Sequence, residues 1–86
     1  MKLNDNYIVH RSGNETVLVP LGGTGFTGIV KGNATLGDIL DLLGKEITPE
    51  QLTEALKDLY DAPAEVIAAD VEKTLSELRG IGALDE

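Results

Sequence analysis

The sequence predicts an α+β domain in which a three-stranded antiparallel sheet is followed by three helices. Three observations predict it. Apolar residues stand in short β-branched runs before Asn33 and recur at three- and four-residue spacing after it. Turn and cap residues bracket these runs. The charge also divides there: residues 1–33 carry three bases (Lys2, Arg11, Lys31) and two acids (Asp5, Glu15), and residues 34–86 carry four bases and thirteen acids. At 86 residues the chain is one domain, 1–86, without repeat or linker. Such a chain buries only roughly 60–65% of its unfolded surface, which leaves no room for a two-domain enzyme.

The first two strands flank Ser12-Gly13-Asn14-Glu15, where Gly and Asn make a positive φ inexpensive. Tyr7-Ile8-Val9-His10-Arg11 precedes the turn and Thr16-Val17-Leu18-Val19 follows it, so a hairpin is expected. Pro20 has no N–H for a ladder and marks the end or the open edge of the second strand. After Gly22-Gly23-Thr24-Gly25, the run Phe26-Thr27-Gly28-Ile29-Val30-Lys31 is a third strand, weakened by Gly28.

Three helices follow. Asn33 or Thr35 caps the first, whose Leu36, Ile39, Leu40 and Leu43 share a face, with Gly44 as its stop. Thr48-Pro49-Glu50-Gln51 has the form of a capping box with proline at the first helical position. Leu52, Ala55, Leu56, Leu59 and Tyr60 then mark the second helix's apolar face. Asp61-Ala62-Pro63 breaks the chain, and a third helix runs from Ala64 to Arg79 with Ile67, Val71, Leu75 and Leu78 as its stripe and Gly80 as its stop. At about 100° per residue, Val66, Asp70, Thr74 and Glu77 lie along one flank of that helix with Lys73 beside them. Val66 is apolar yet falls off the core stripe.

The composition excludes much chemistry. With no cysteine and one histidine, thiolate metal sites, disulfides and cysteine nucleophiles are ruled out, and no cofactor is expected. Ser12 and Ser76 have neither a base nor an oxyanion loop beside them, so the chain is read as non-enzymatic. Gly23-Thr24-Gly25-Phe26-Thr27-Gly28 matches G-x-G-x-x-G literally, but Ile29-Val30-Lys31 after it favours a strand where nucleotide binding needs a helix. The segment is therefore read as a connector. A formal net charge of −8 disfavours nucleic acid and anionic membranes, and the third helix opens Ala64-Glu65-Val66-Ile67-Ala68-Ala69-Asp70, with no base before Lys73. A winged-helix DNA reader is thus the rival reading. No window has the apolar length of a signal peptide or a spanning helix, and a cytoplasmic protein is expected.

Three stretches in order carry a family resemblance. Asn33-Ala34-Thr35-Leu36-Gly37-Asp38-Ile39-Leu40-Asp41-Leu42-Leu43 resembles the Asn-x-Thr start and double-Leu helix of the PqqD-like family of small peptide-binding proteins. Ile47-Thr48-Pro49-Glu50-Gln51-Leu52 through Leu59-Tyr60-Asp61 is similar to that family's second helix with its closing Tyr-Asp. Val66-Ile67-Ala68-Ala69-Asp70-Val71-Glu72-Lys73-Thr74-Leu75-Ser76-Glu77-Leu78, with Gly82-Ala83-Leu84 behind it, resembles its Ala-Asp-Val helix and Gly-Leu-Leu-like end. Gly32 departs from the family's usual leucine and Leu40 from its frequent tryptophan.

The resemblance implies a winged helix-turn-helix that binds the leader segment of a ribosomally synthesised precursor peptide. Such a protein is a peptide chaperone in natural-product biosynthesis, a recognition element that presents the leader to a modifying enzyme, radical-SAM or similar. It further implies that the leader adds to the third strand and lies against the third helix. The peptide-binding residues expected are then Thr27, Gly28, Ile29, Val30 and Lys31 on the strand and Val66, Asp70, Lys73, Thr74 and Glu77 on the helix flank.

Overall fold

The structure is a computed structural model that describes residues 1–22 and 28–86. The elements run β1(Lys2–Leu3), β2(Tyr7–Ser12), β3(Glu15–Pro20), β4(Val30–Gly32), α1(Ala34–Leu42), α2(Pro49–Leu59), α3(Ala64–Gly80) and β5(Leu84–Asp85). The antiparallel sheet β2-β3-β4 followed by three helices is the predicted order.

β2 and β3 pair from Tyr7↔Pro20 to Ser12↔Glu15 around a two-residue turn. Gly13 takes φ 59° and Asn14 does not share that sign, which is the type II′ arrangement suited to strand twist. Thr16 and Leu18 are fully buried on the inner face with Tyr7 opposite Pro20 beside them. β4 pairs with β3 through Thr16↔Gly32, Val17↔Lys31 and Leu18↔Val30.

β4 is shorter than the strand expected at 26–31 and shifted past it. Phe26 and Thr27 lie outside the described residues, as does most of the glycine segment read as a connector. Gly28 sits in a bend and Ile29 precedes the strand. Proline accounts for the boundary. Ladder bonds alternate from Ser12↔Glu15, so odd-numbered residues of β3 turn their backbone groups to β2 and even-numbered ones to β4. The Leu21 N–H, which donates to the Asn6 carbonyl at 2.7 Å, fits that alternation. Extending the register sets Pro20 opposite Gly28, where Pro20 has no N–H to give.

Asn33 is the cap of α1, its side chain accepting from the Leu36 N–H at 3.2 Å. Thr48 and Gln51 form both arms of the capping box on α2, at 3.1 and 3.0 Å. α3 starts after Pro63 without a side-chain cap. At its other end the stop is Gly82, not the expected Gly80. Gly82 has φ 73°, the Ala83 N–H donates to the Leu78 carbonyl at 2.9 Å, and the Gly82 N–H donates to the Arg79 carbonyl at 3.1 Å, a Schellman closure.

The core gathers Leu18 from the sheet, Ile39, Leu40 and Leu43 from the α1 segment, Leu52 and Leu56 from α2, and Ile67, Val71, Leu75 and Leu78 from α3. Leu59, placed on the α2 core face by its spacing, is 61% exposed. It is the last residue of α2. Val66 is 49% exposed, as its position off the stripe predicts. A feature absent from the sequence reading is the pairing of β1 with β5, Lys2↔Asp85 and Leu3↔Leu84. The Leu3 N–H donates to the Leu43 carbonyl at 2.8 Å, and the Tyr7 hydroxyl donates to the Ile81 carbonyl at 2.5 Å. Among the described residues no helix is long and apolar enough to cross a membrane.

Candidate functional site

β4 leans on β3 and α1, while α3 leans on α2 and β5. A cleft of about 320 Å³ lies between strand and helix. Val30, Lys31 and Gly32 form one wall, Asn33, Thr35 and Leu36 the end, and Asp70, Lys73, Thr74 and Glu77 the other wall. The helical wall is one stripe because its residues stand at i, i+3, i+4 and i+7. Asp70, Lys73 and Glu77 are exposed and Thr74 is half-buried, so the charged groups are available without desolvation.

Among the described residues no strand pairs with the outer edge of β4. Val30 and Gly32 spend their backbone groups on Leu18 and Thr16, and alternation turns the N–H and C=O of Lys31 outward. An unpaired edge of this kind accepts another strand. The corner between β4 and α1 is held by the buried Thr16, whose hydroxyl donates to the Asn33 carbonyl at 2.9 Å.

Of the residues singled out in the sequence, six meet at this cleft: Val30, Lys31, Asp70, Lys73, Thr74 and Glu77. Thr27 lies outside the described residues. Gly28 and Ile29 are exposed before the strand and do not line the cleft. Val66 lines a second hollow of about 110 Å³ with Thr35, Leu56, Tyr60, Ala62, Ile67 and Asp70. Asn33 and Thr35 were legible only as helix caps, yet both line the cleft. Tyr60 and Ala62 were missed because they end α2 and follow it, where spacing along one helix carries no information about a neighbour.

A polar cluster buttresses this end. Arg11 on β2 donates to Asp38 at 3.2 Å and to Asp41 at 2.7 Å, both on α1. The Tyr60 hydroxyl donates to Asp38 from the end of α2. That bond holds the Tyr60 phenol above its usual 10.0, with Thr35 pulling the other way. The carboxylates, Asp41 first, likewise raise the Arg11 guanidinium. Sequence order hides this cluster because its members come from three elements. Among the described residues no group of His, Asp and Glu side chains is arranged to hold a metal ion.

The profile of the family described as coenzyme PQQ synthesis protein D (PqqD) matches residues 15–84 of the chain. The chain is also similar to the solved structure of TbiB1 in complex with the TbiA(beta) leader peptide. The TM-score is 0.77 at 25% sequence identity, covering 99% of this chain and 100% of that one. No curated protein matches.

Proposed function

The chain belongs to the PqqD family, and from that premise we propose that it binds the leader segment of a ribosomally synthesised precursor peptide and presents it to a modifying enzyme of the radical-SAM or a similar class. The protein itself performs no chemistry and needs no cofactor in this reading. One observation carries it: the outer edge of β4 at Lys31 faces a polar helix stripe across a cleft of about 320 Å³. A similar protein, TbiB1, is solved with a leader peptide bound, which supports the same use of this fold.

An added strand gains its backbone bonds at the β4 edge, roughly 0.5–1.5 kcal/mol net for each. Those bonds do not select a sequence. Selection falls to the opposite wall, where Asp70 and Glu77 favour a basic residue of the peptide and the stem of Lys73 offers apolar contact. Val66 extends that wall, and Ile29 and Gly28 continue the exposed run ahead of β4; Thr27, also expected at the site, lies outside the described residues.

Selection of short randomised peptides on the immobilised protein supplies ligands, and amide shifts on their titration locate the site. Shifts are expected at Val30, Lys31 and Gly32 and at Asp70, Lys73, Thr74 and Glu77. Shifts concentrated on α2, with β4 and α3 unmoved, would place the groove elsewhere and overturn the reading.

A further inference from the structure

We infer that the outer face of the sheet, the one turned away from the helices, also selects the bound peptide, and that it favours an acidic side chain on the peptide residue level with Lys31; this rests on the peptide-binding reading above. Thr16 and Leu18 are buried on the helix side of β3, so Val17 and Val19 stand on the other side. Residues paired across a ladder share a face. The register therefore sets His10, Val17 and Lys31 in one row across the outer face. A strand added beyond β4 continues that row with one residue of its own. Whether the peptide runs parallel or antiparallel, that residue turns its side chain to the face of Lys31, and its two neighbours turn theirs toward α3.

The two faces ask for opposite charge. Asp70 and Glu77 stand on the helical wall, while the row that ends at Lys31 contains no acid. Lys31 is exposed, and among the described residues it makes no ion pair. Glu15, diagonal to it on β3, leaves it unpaired. The favoured peptide thus carries a basic residue beside an acidic one, on opposite faces of one strand. General attraction to a chain of net charge −8 would instead disfavour every acid in the peptide. The sign of the effect separates the two.

The test uses the full chain and peptides selected from the randomised library that shift the Lys31 amide. Nuclear Overhauser contacts with Lys31 identify the peptide residue level with it, and glutamate, glutamine and lysine are placed there in turn. Affinity is expected to fall about two- to fivefold at each step, the worth of one exposed cross-strand charge pair, and the steps should shrink at high salt. Lys31→Glu, at an exposed position, should reverse the order with melting unchanged. The same series at the two neighbouring peptide positions, which face α3, should keep its order in Lys31→Glu. No order at the Lys31 position, or lysine preferred there in both proteins, would overturn the outer-face selection while the peptide-binding reading stands. A reversal at the neighbouring positions as well would show general charge at work and overturn it too. A library that yields no peptide shifting Lys31 overturns both.

Discussion

Tyr60 donates its phenol to the carboxylate of Asp38, and so the end of α2 is tied to the middle of α1 beside the proposed peptide site. The bond needs the protonated phenol, which is why the folded-state value lies above 10.0. Its stabilisation is full below the unfolded value and is lost as pH rises through the raised folded one. Phenolate absorbance of the wild type minus that of Tyr60→Phe should therefore titrate above 10.0, the usual value. Asp38→Asn should move it back down. An unchanged titration in Asp38→Asn would mean the carboxylate is not the cause.

Alternation along β4 makes neighbouring prolines behave differently. Lys31→Pro and Ile29→Pro remove N–H groups turned away from β3, so melting should barely change while affinity for a Lys31-shifting peptide falls by roughly tenfold. Val30→Pro removes the N–H used on Leu18, a fully buried partner, and should cost about 1–3 kcal/mol of stability. Thermal melts and peptide titrations of the three variants check this. Equal destabilisation by Val30→Pro and Lys31→Pro would show the edge to be assigned in the wrong phase.

Duplex DNA should not bind. Glu65, Asp70, Glu72 and Glu77 are all exposed on α3 with Lys73 among them, so a recognition helix placed in a groove meets phosphate with net negative charge. Titration at low salt, where ionic attraction is least screened, is the strictest check. Binding that weakens steeply with added salt would favour the DNA-reading alternative.

Gly37 is required by a close approach. A Cβ there would meet the Arg11 guanidinium and lie 2.6 Å from the Thr16 hydroxyl oxygen. Arg11 can move aside, but Thr16 is fully buried and committed to Asn33. Gly37→Ala should therefore destabilise by about 1–3 kcal/mol despite its better helix propensity, measured by urea unfolding. A more stable Gly37→Ala protein would show that this corner yields.

Local signals in the sequence explain what was legible. The hairpin was written in period-2 alternation and a Gly-Asn turn, and α2 in a capping box whose two bonds span three residues. The helix-flank stripe at Asp70, Lys73, Thr74 and Glu77 was legible for the same reason, since one helix sets its own geometry. The start of β4 was not, because it depends on Pro20 in another strand. The Arg11–Asp38–Tyr60 cluster and the hollow behind Thr35 were not, because each is assembled from three elements. Gly82 was passed over for Gly80 because two nearby glycines offer the same local signal, and only Ala83 packing into the core chooses between them.

The pairing of β1 with β5 bears on the order in which the chain assembles. Asn4 and Asp85, joined by a side-chain bond at 2.8 Å, stand 81 positions apart, so closing that loop first would cost entropy with few contacts to offset it. The β2–β3 hairpin and the packing of α2 on α3 join near neighbours in sequence and can form early. The β1–β5 seam is then expected to close last, on a helical face that it joins at Leu43 and Leu78. Opening that seam would release both strands together and loosen the support that β5 gives α3, while the cleft's own lining takes no residue from either strand.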